Sequence, residues 1–476
     1  MPPRRLRLSA ASTGQDGSWS EMANRIPPGP KDWMFGMRTM AWMKADVLGA
    51  YTSLQRDYGD AVSFRTGPFQ LFVFYHPDQV RELLVSRSKS FIRLPRVMQT
   101  FAQWNGESIL IVEGEKWVRQ RRLVQPAFQP RRFTDYGRMI VETTQKMLDS
   151  WSPTLERDGQ IEVDVNTAMT SLTLEVICKV LFNIDASEAT ERIARAVAVL
   201  SAVAFHEMQA AIRLPDWWPS EFNRKKRAAM KTLDDFVWGI IRERRSEGVD
   251  HGDLLSMLLA AVDEEGDGGK LDDRQVRNEA MTLMLAGHDT TAAALDWVWY
   301  NIARFPAVAS RCQAEVDEVL SGNLPTVADV PRLKYLEATI KETLRLYPPA
   351  IGVFLRQATE STSIGSYEIP RGSLVGLSSY ATHRDARWFP DPERFDPDRF
   401  LPPAVDQLHA GAYFPFGMGP RVCIGQSFAM TEMILIAATV LQKCQVTLKN
   451  PAHDPGMLVH MALRPGSPVI LKCERR

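Results

Sequence analysis

The chain has 476 residues, with 57 basic and 57 acidic side chains, so its formal net charge is zero. A balanced charge gives no general attraction to nucleic acid. Apolar residues make up 45% of the chain, which is ordinary for a globular protein. The five scattered cysteines are odd in number, which argues against a disulfide framework and favours a reducing compartment.

Residues 1–26 are predicted to be a disordered tail or to follow a mis-assigned start, with Met22 as the other start. Early arginines without an apolar core do not make a secretory signal, and an organelle transit peptide is the alternative. The run Pro27-Pro28-Gly29-Pro30 marks the beginning of a folded domain, 27–476. No stretch looks like the roughly 20 mainly apolar residues of a membrane span.

The chain then reads as mainly helical with a small β part. Residues 62–65 and 70–75 are rich in β-branched and aromatic side chains and predict a hairpin. Asp78 is predicted to cap a helix over 79–85. Most of 134–346 reads as helices, and strand-like pieces return between 352 and 379 and near the end of the chain. No linker divides the sequence, so we expect one large domain.

A long apolar helix is predicted over residues 278–305, ended by Pro306. At 1.5 Å per residue it would be roughly 40 Å long, and a helix that is apolar all round is buried. Its middle reads Ala286-Gly287-His288-Asp289-Thr290-Thr291. A glycine there costs about 1 kcal/mol relative to alanine, and a buried acid costs more unless it is paired. Taken alone, the segment fits a kinked core helix with a hydrated patch equally well.

The most informative stretch is 416–425, Phe-Gly-Met-Gly-Pro-Arg-Val-Cys-Ile-Gly. Glycines allow close backbone approaches and Pro420 stiffens the loop. Cys423 lies just before a predicted helix, a position that favours an anion and therefore a thiolate. Arg421 suits an anionic group such as a carboxylate. A lone cysteine is more often a small buried hydrophobe, so the surrounding residues decide.

The stretch resembles the haem-binding signature of the cytochrome P450 superfamily at Phe416, Gly419, Arg421, Cys423 and Gly425. The resemblance covers about 27–472. It implies one mainly α domain with a small β part, which holds haem b between a long distal helix and the cysteine loop. Cys423 would be the thiolate ligand of the iron, and such a ligand favours cleavage of the O–O bond. Without a visible anchor, the resemblance is to soluble, bacterial-type, cytoplasmic members.

Further roles follow from the same resemblance. Gly287 would open the long helix for dioxygen, and Asp289 and Thr290 would relay protons. His288 is predicted to be a partner of neighbouring helices rather than a ligand. A second set of residues would bind the haem propionates: Trp117, Arg121, Arg356 and Arg421.

A structural role is predicted for a buried ion triad, Glu342, Arg345 and Arg394, while His383 is expected near this region. Alone, the pair Glu342 and Arg345 would be an ordinary surface pair, and Trp117 with Arg121 an ordinary helix face. Two basic runs complete the survey. Arg119, Arg121, Arg122, Arg131 and Arg132 are candidates for docking an acidic redox partner, and 224–227 is expected to be solvated.

The sequence therefore predicts a haem-thiolate monooxygenase that inserts one oxygen atom from O2 into a hydrophobic small molecule, a fatty acid or terpenoid. Electrons would come from a separate ferredoxin or flavodoxin and its reductase, because no redox domain is attached. Segments 94–111, 202–218, 283–287, 349–354 and 459–463 would face the substrate. The alternatives are a peroxide-driven peroxygenase or decarboxylase, against which the Asp289-Thr290 pair argues, and a non-enzymatic haem sensor.

Overall fold

A computed structural model describes residues 26–32, 35–129, 132–184, 187–210, 215–266 and 268–476. Fifteen α-helices carry most of this part of the chain: α1 (Met37–Ala45), α2 (Val47–Tyr58), α3 (Pro77–Arg81), α4 (Pro95–Asn105), α5 (Gly114–Val124), α6 (Phe133–Asp158), α7 (Val165–Phe182), α8 (Ser187–Gln209), α9 (Glu221–Glu247), α10 (Leu254–Ala260), α11 (Asp273–Arg304), α12 (Pro306–Leu320), α13 (Lys334–Leu346), α14 (Ser379–Thr382) and α15 (Gln426–Lys443).

Twelve short strands complete the described residues: β1 (Ala61–Thr66), β2 (Phe69–Phe74), β3 (Phe91–Arg93), β4 (Gln160–Asp164), β5 (Arg356–Ala358), β6 (Thr362–Ile364), β7 (Tyr367–Ile369), β8 (Leu374–Leu377), β9 (Cys444–Leu448), β10 (Met457–Val459), β11 (Leu463–Pro465) and β12 (Ile470–Arg475). The predicted class, mainly α with a small β part, is confirmed.

The strands form four small sheets. The largest has the order β1-β2-β8-β5-β3, and the others are β4-β12-β9, β6-β7 and β10-β11. The predicted hairpin is confirmed, because β1 and β2 are antiparallel with Thr66 opposite Phe69. The sequence did not predict β4 or the hairpin of β10 and β11, whose three-residue strands are too short to show alternation.

The central helix is α11, which begins five residues before the predicted start. A capping box explains the earlier start: the side chain of Asp272 accepts from the N–H of Gln275, whose side chain bonds back to Asp272. The helix packs against α7, α9, α13 and α15. Most of its residues are buried, but Ala286 and Thr290 in the middle are exposed. These two positions therefore interrupt the buried surface of the helix.

Two further predictions meet different outcomes. Helix α13 has the predicted bounds, whereas the helix predicted over 79–85 begins at Pro77 and continues as a π-helical turn, Glu82–Ser86. Asp78 is not its cap: its N–H donates to Nδ1 of His76 at 3.2 Å, because Pro77 already occupies the first helical position. The predicted tail lies outside the described residues except for Ile26, and the domain boundary stays a prediction.

Among the described residues, one helix is long and apolar enough to cross a membrane by length and composition. It is α7, which the sequence analysis did not single out. Some 61% of it is buried inside the protein, where it packs against α11. A helix that is buried in a protein core and a helix that spans a membrane are both apolar because neither faces water.

Candidate functional site

The cysteine loop is bent by glycines in the left-handed region. Gly417 and Gly419 have φ of 73° and 74°. A Cβ on Gly419 would lie 2.2 Å from the backbone oxygen of Leu84, so no side chain fits there. The loop closes through the N–H of Cys423, which donates to the oxygen of Phe416 at 3.0 Å. The thiol is thus presented by a fixed backbone, three residues before α15 begins.

Cys423 differs from the other four cysteines, which are free and buried, because its side chain is accessible to solvent. It is nevertheless densely surrounded by protein atoms, and this burial raises the pKa of its thiol. The N–H of Gly425 and the charge of Arg121 act in the opposite direction but do not outweigh it. The predicted easy thiolate is therefore wrong for the protein alone. A metal cation at the sulfur would supply the missing stabilisation, since coordination deprotonates a thiol.

A cluster of four arginines, Arg93, Arg121, Arg356 and Arg421, lies beside this loop. Burial and the charge of Arg93 lower the pKa of Arg356 to about 10. Burial lowers the pKa of Arg421 to about 9, with repulsion from Arg93, Arg356 and Arg121 adding to it. The sheet register places Arg93 directly opposite Arg356 on β3 and β5. Like charges opposite each other destabilise a sheet, so this arrangement calls for an anion.

The anion that the fold itself provides is Glu113. Its carboxylate accepts from Nε of Arg93 at 2.7 Å and also from Arg421. Arg421 further donates to the oxygen of Val112 at 3.1 Å. Nε of Arg356 is buried without a hydrogen-bond partner among the described residues. One carboxylate against four guanidinium groups leaves a net positive site, which fits a ligand with two carboxylates such as haem.

Trp117 and Arg121 both contact the cysteine loop, and their propionate role stays a prediction. The guanidinium of Arg421 lies over the ring of Trp117, 4.1 Å from its centroid, a cation–π contact. Arg121 donates to the oxygen of Val422 in the cysteine loop at 3.2 Å. Arg93 and Glu113 were missed by sequence reasoning, because neither stands in a distinctive local pattern.

On the opposite side, Asp289 is bound in an ion pair with a residue that the sequence did not suggest. Its Oδ1 accepts from Nη2 of Arg464 at 2.8 Å, and Nη1 of Arg464 donates to Oδ2 of Asp296 at 2.9 Å. Arg464 lies on β11, so α11 is tied to the hairpin of β10 and β11. Burial raises the pKa of Asp296 to about 6, although Arg464 opposes the change.

The residues next to Asp289 in the chain contact either α7 or the backbone of α11 itself. The hydroxyl of Thr290 donates to the oxygen of Ala286 at 2.8 Å, and the residue is exposed. A Cβ on Gly287 would lie 3.2 Å from Cδ1 of Ile177, so this glycine lets α7 approach α11 closely. Nε2 of His288 bonds to the oxygen of Thr170 at 3.1 Å, which confirms His288 as a helix partner.

The predicted ion triad is half right. Glu342 and Arg345 are fully buried and bound through two contacts of 2.7 and 2.9 Å. The side chain of Arg394, however, is 68% exposed and is paired with Asp396 at 3.7 Å. Only its backbone oxygen takes part, accepting from Arg345 at 3.2 Å. The third member of the triad is Arg399, whose Nε lies 3.5 Å from Glu342.

His383 joins this network from the next segment. Its backbone oxygen accepts from Arg345 at 2.8 Å, and its Nε2 accepts from the N–H of Phe414 at 3.0 Å. Burial, with the charge of Arg345, lowers the pKa of His383 to about 3. The side chain is therefore neutral. Through its backbone oxygen and its ring, His383 links the buried ion pair to the segment that precedes the cysteine loop.

Four of the segments predicted to face the substrate are brought together. Phe101 and Phe354 are in edge contact with ring centroids 5.8 Å apart. Phe205 stacks on His460 with centroids 4.6 Å apart. These contacts join 94–111 to 349–354 and 202–218 to 459–463.

The predicted docking cluster is less available than its sequence indicates. Arg122 binds Asp263 through contacts of 2.8 and 2.9 Å. Arg119 donates to the oxygen of Lys270 at 3.2 Å, while Arg131 lies outside the described residues. Arginines that are already bound to Asp263 and Lys270 are less available to steer a partner.

A mainly helical domain with an accessible cysteine at a helix mouth, beside a cluster of four arginines with a single carboxylate, has the features of a haem-thiolate protein. The family described as Cytochrome P450 matches residues 27–472. The chain therefore belongs to the cytochrome P450 family, whose members hold a haem iron, and it is an oxidoreductase of the monooxygenase class.

Relatives in several organisms and one solved structure agree with this assignment. The chain is 35% identical to cyclooctat-9-en-7-ol 5-monooxygenase of Streptomyces melanosporofaciens, with 81% of this chain and 82% of that protein covered. It is 31% identical to human cytochrome P450 4F3, with 94% and 89% covered. The heme domain of cytochrome P450DA matches with a TM-score of 0.84 at 27% identity, over 95% and 98% of the two chains. With bacterial and human relatives, the predicted cytoplasmic localisation stays a prediction.

Proposed function

We propose that the chain binds haem b and inserts one atom of O2 into a hydrophobic small molecule, with electrons from a separate ferredoxin or flavodoxin and its reductase. The observation that carries the proposal is the accessible thiol of Cys423 beside four arginines that share one carboxylate, Glu113. Names of relatives support a terpenoid or a fatty acid as the substrate class: cyclooctat-9-en-7-ol 5-monooxygenase and leukotriene-B4 omega-hydroxylase 3.

The residues that would hold the haem surround it from two sides. Sγ of Cys423 would bind the iron, with the N–H of Gly425 directed at the sulfur. Arg356 and Arg421 would bind the propionates, which would relieve the repulsion between them. When bound, the haem activates dioxygen, and a thiolate ligand favours cleavage of the O–O bond.

The residues across the cavity would hold and move protons. The hydroxyl of Thr290 donates to Ala286, so its lone pairs are free to accept a hydrogen bond from the cavity. Asp289 supplies a carboxylate that is paired with Arg464. Consecutive helical residues do not share a face. A proton would therefore pass between Asp289 and Oγ1 of Thr290 through a bridging water, or after Asp289 leaves Arg464.

The test compares two substitutions of Thr290 in the haem-loaded enzyme. Thr290→Val keeps the shape but removes the hydroxyl, and we expect more reductant to be consumed per product formed. Thr290→Ser keeps a hydroxyl and should restore most of the coupling. Equal coupling in all three proteins would contradict the relay. Turnover with peroxide, but none with ferredoxin and reductase, would favour the peroxygenase alternative.

A further inference from the structure

The basic run 224–227 is not uniformly solvated, contrary to the prediction. Lys225 has a side chain that is 65% exposed and pairs with Glu221 one helical turn away at 2.7 Å. The next residue, Lys226, is only 2% exposed. A buried ammonium is costly unless it is paired and hydrogen-bonded, so its partners must hold it strongly.

Lys226 has three acceptors for its three N–H donors. Nζ donates to Oε1 of Glu207 at 2.7 Å and to Oδ1 of Asp216 at 2.8 Å. The third donor goes to Oε1 of Gln103. The amide of Gln103 in turn donates to the other oxygen of Glu207 at 2.7 Å. The ammonium is therefore saturated, and two of its partners also bind each other.

These acceptors come from three separate parts of the chain. Gln103 is on α4, Glu207 is near the end of α8, and Asp216 precedes α9, on which Lys226 itself lies. Asp216 is the outer member, since its side chain is 62% exposed, whereas Glu207 is buried. One cation thus joins α4, α8 and the start of α9 at their common edge.

We propose that Lys226 is a positioning residue that locks two walls of the substrate site against each other. Gln103 belongs to 94–111, and Glu207 and Asp216 belong to 202–218, both predicted to face the substrate. This inference rests on the proposed function, in which the two segments border the substrate site. Here the lock is defined as Lys226 with Gln103, Glu207 and Asp216.

Loss of the lock opens this edge without unfolding the domain. Removing Lys226 takes the ammonium away from the buried carboxylate of Glu207, a penalty that water entering between α4 and α8 relieves. The end of α4 keeps a second attachment, because Nε of Arg277 on α11 donates to Asp234 of α9 at 2.8 Å and its Nη1 donates to the oxygen of Trp104. The expected change is therefore local to the α4 and α8 edge.

The experiment compares Lys226→Met with Lys225→Met, its exposed neighbour, and with Gln103→Leu, which removes a neutral partner. Amide hydrogen exchange is followed over 95–105 and 215–220, with α15 as an internal reference. In the haem-loaded proteins the release rate of 4-phenylimidazole is measured. We expect exchange at the edge and probe release to rise about tenfold in Lys226→Met, less in Gln103→Leu, and less than about twofold in Lys225→Met.

Equal exchange and release in the two lysine variants would overturn the proposal. So would exchange that rises equally in α15, because Lys226 would then support the whole fold rather than this edge. The exchange measurement needs no haem. If even the unmodified protein failed to bind haem through a thiolate, the proposed function would fail, and exchange at the edge would still decide on the lock.

Discussion

The two sides of the proposed haem site are held by different kinds of contact. On the cysteine side, Glu342 and Arg345 are one helical turn apart and fully buried, and backbone groups of 383, 394 and 396 complete their bonds. On the side of α11, Arg464 pairs with Asp289 and Asp296, which lie far earlier in the chain. Both Arg464 and Asp289 are partly accessible to solvent.

The difference between the two kinds of ion pair indicates which parts of the protein can move. A buried pair cannot separate without stranding a charge, at a cost of about 3–5 kcal/mol. A partly solvated pair separates at a cost nearer to that of surface pairs, about 0–1 kcal/mol. The cysteine side is therefore a fixed support, while Asp289 is the adjustable part.

The largest effect is expected at the fixed support. Glu342→Ala leaves Arg345 buried without its carboxylate and should lower the apparent free energy of unfolding by about 3–5 kcal/mol. Glu337→Ala on the same helix removes only the partly exposed pair with Lys341, and surface pairs contribute about 0–1 kcal/mol. Urea unfolding followed by circular dichroism measures both. Similar losses in the two variants would remove the distinction between buried and exposed pairs.

A second effect, of a few kcal/mol, is expected at the start of α11 and depends on pH. Glu279 accepts from the N–H of Ile109 at 2.9 Å, and burial raises its pKa from 4.5 to about 8. A raised pKa favours the neutral acid in the folded state. The contribution of Glu279 to the free energy of unfolding is complete below pH 4.5 and is lost as the pH rises through 8.

Glu279→Gln keeps the acceptor but cannot ionise. The variant and the parent should be equally stable near pH 4.5, and the variant should be more stable by a few kcal/mol near pH 8. Thermal unfolding across this pH range measures the difference. A constant difference between the two proteins would show that Glu279 does not titrate in this window.

A third prediction concerns the arginine cluster, where one substitution should stabilise the protein without haem but weaken its binding of haem. Arg356→Met removes a buried cation that Arg93 repels, so the protein without haem should become more stable. The same change removes a charge-assisted hydrogen bond to a propionate, worth about 1.5–3 kcal/mol, so haem should transfer to an apo-globin at least about tenfold faster. Slower or unchanged transfer would contradict the propionate role.

The smallest effects separate the two candidate arginines behind the cysteine loop. Arg399, with a side chain 14% exposed, lies 3.5 Å from Glu342, and Arg399→Ala should cost about 1 kcal/mol or more. Arg394→Ala removes an exposed side chain and should cost less than about 0.5 kcal/mol. Denaturant midpoints of the two variants measure the loss of stability in each. A greater loss of stability in Arg394→Ala than in Arg399→Ala would restore the triad as first predicted.

These outcomes show which features a sequence alone discloses. The cysteine loop and α13 were found because their signals are local: glycines, a proline and a cysteine at fixed offsets, or a periodic helix. Arg394 was chosen wrongly because Pro392–Phe395 and Pro397–Phe400 both read Pro, acid, Arg, Phe. Only the folded chain shows which guanidinium reaches Glu342.

The features that escaped prediction depend on partners distant in the chain. Arg464 gave no sign of pairing with Asp289, and Lys226 stood among cations that are usually solvated. Burial of a charge is decided by what packs over it, and the residues that cover Lys226 lie on α4 and α8. Arg93 and Glu113 were missed because the strand register, which no local pattern shows, brings Arg93 opposite Arg356.

The central claim is that Cys423 binds haem iron as a thiolate. Its most direct test is the spectrum of the reduced, carbon monoxide-bound protein, compared with Cys423→Ala and with Cys178→Ala, which alters a buried cysteine. We predict a thiolate-shifted Soret band in the unmodified protein and in Cys178→Ala, and its loss in Cys423→Ala. An unshifted band in the unmodified protein, or a shifted band that persists in Cys423→Ala, would contradict the account.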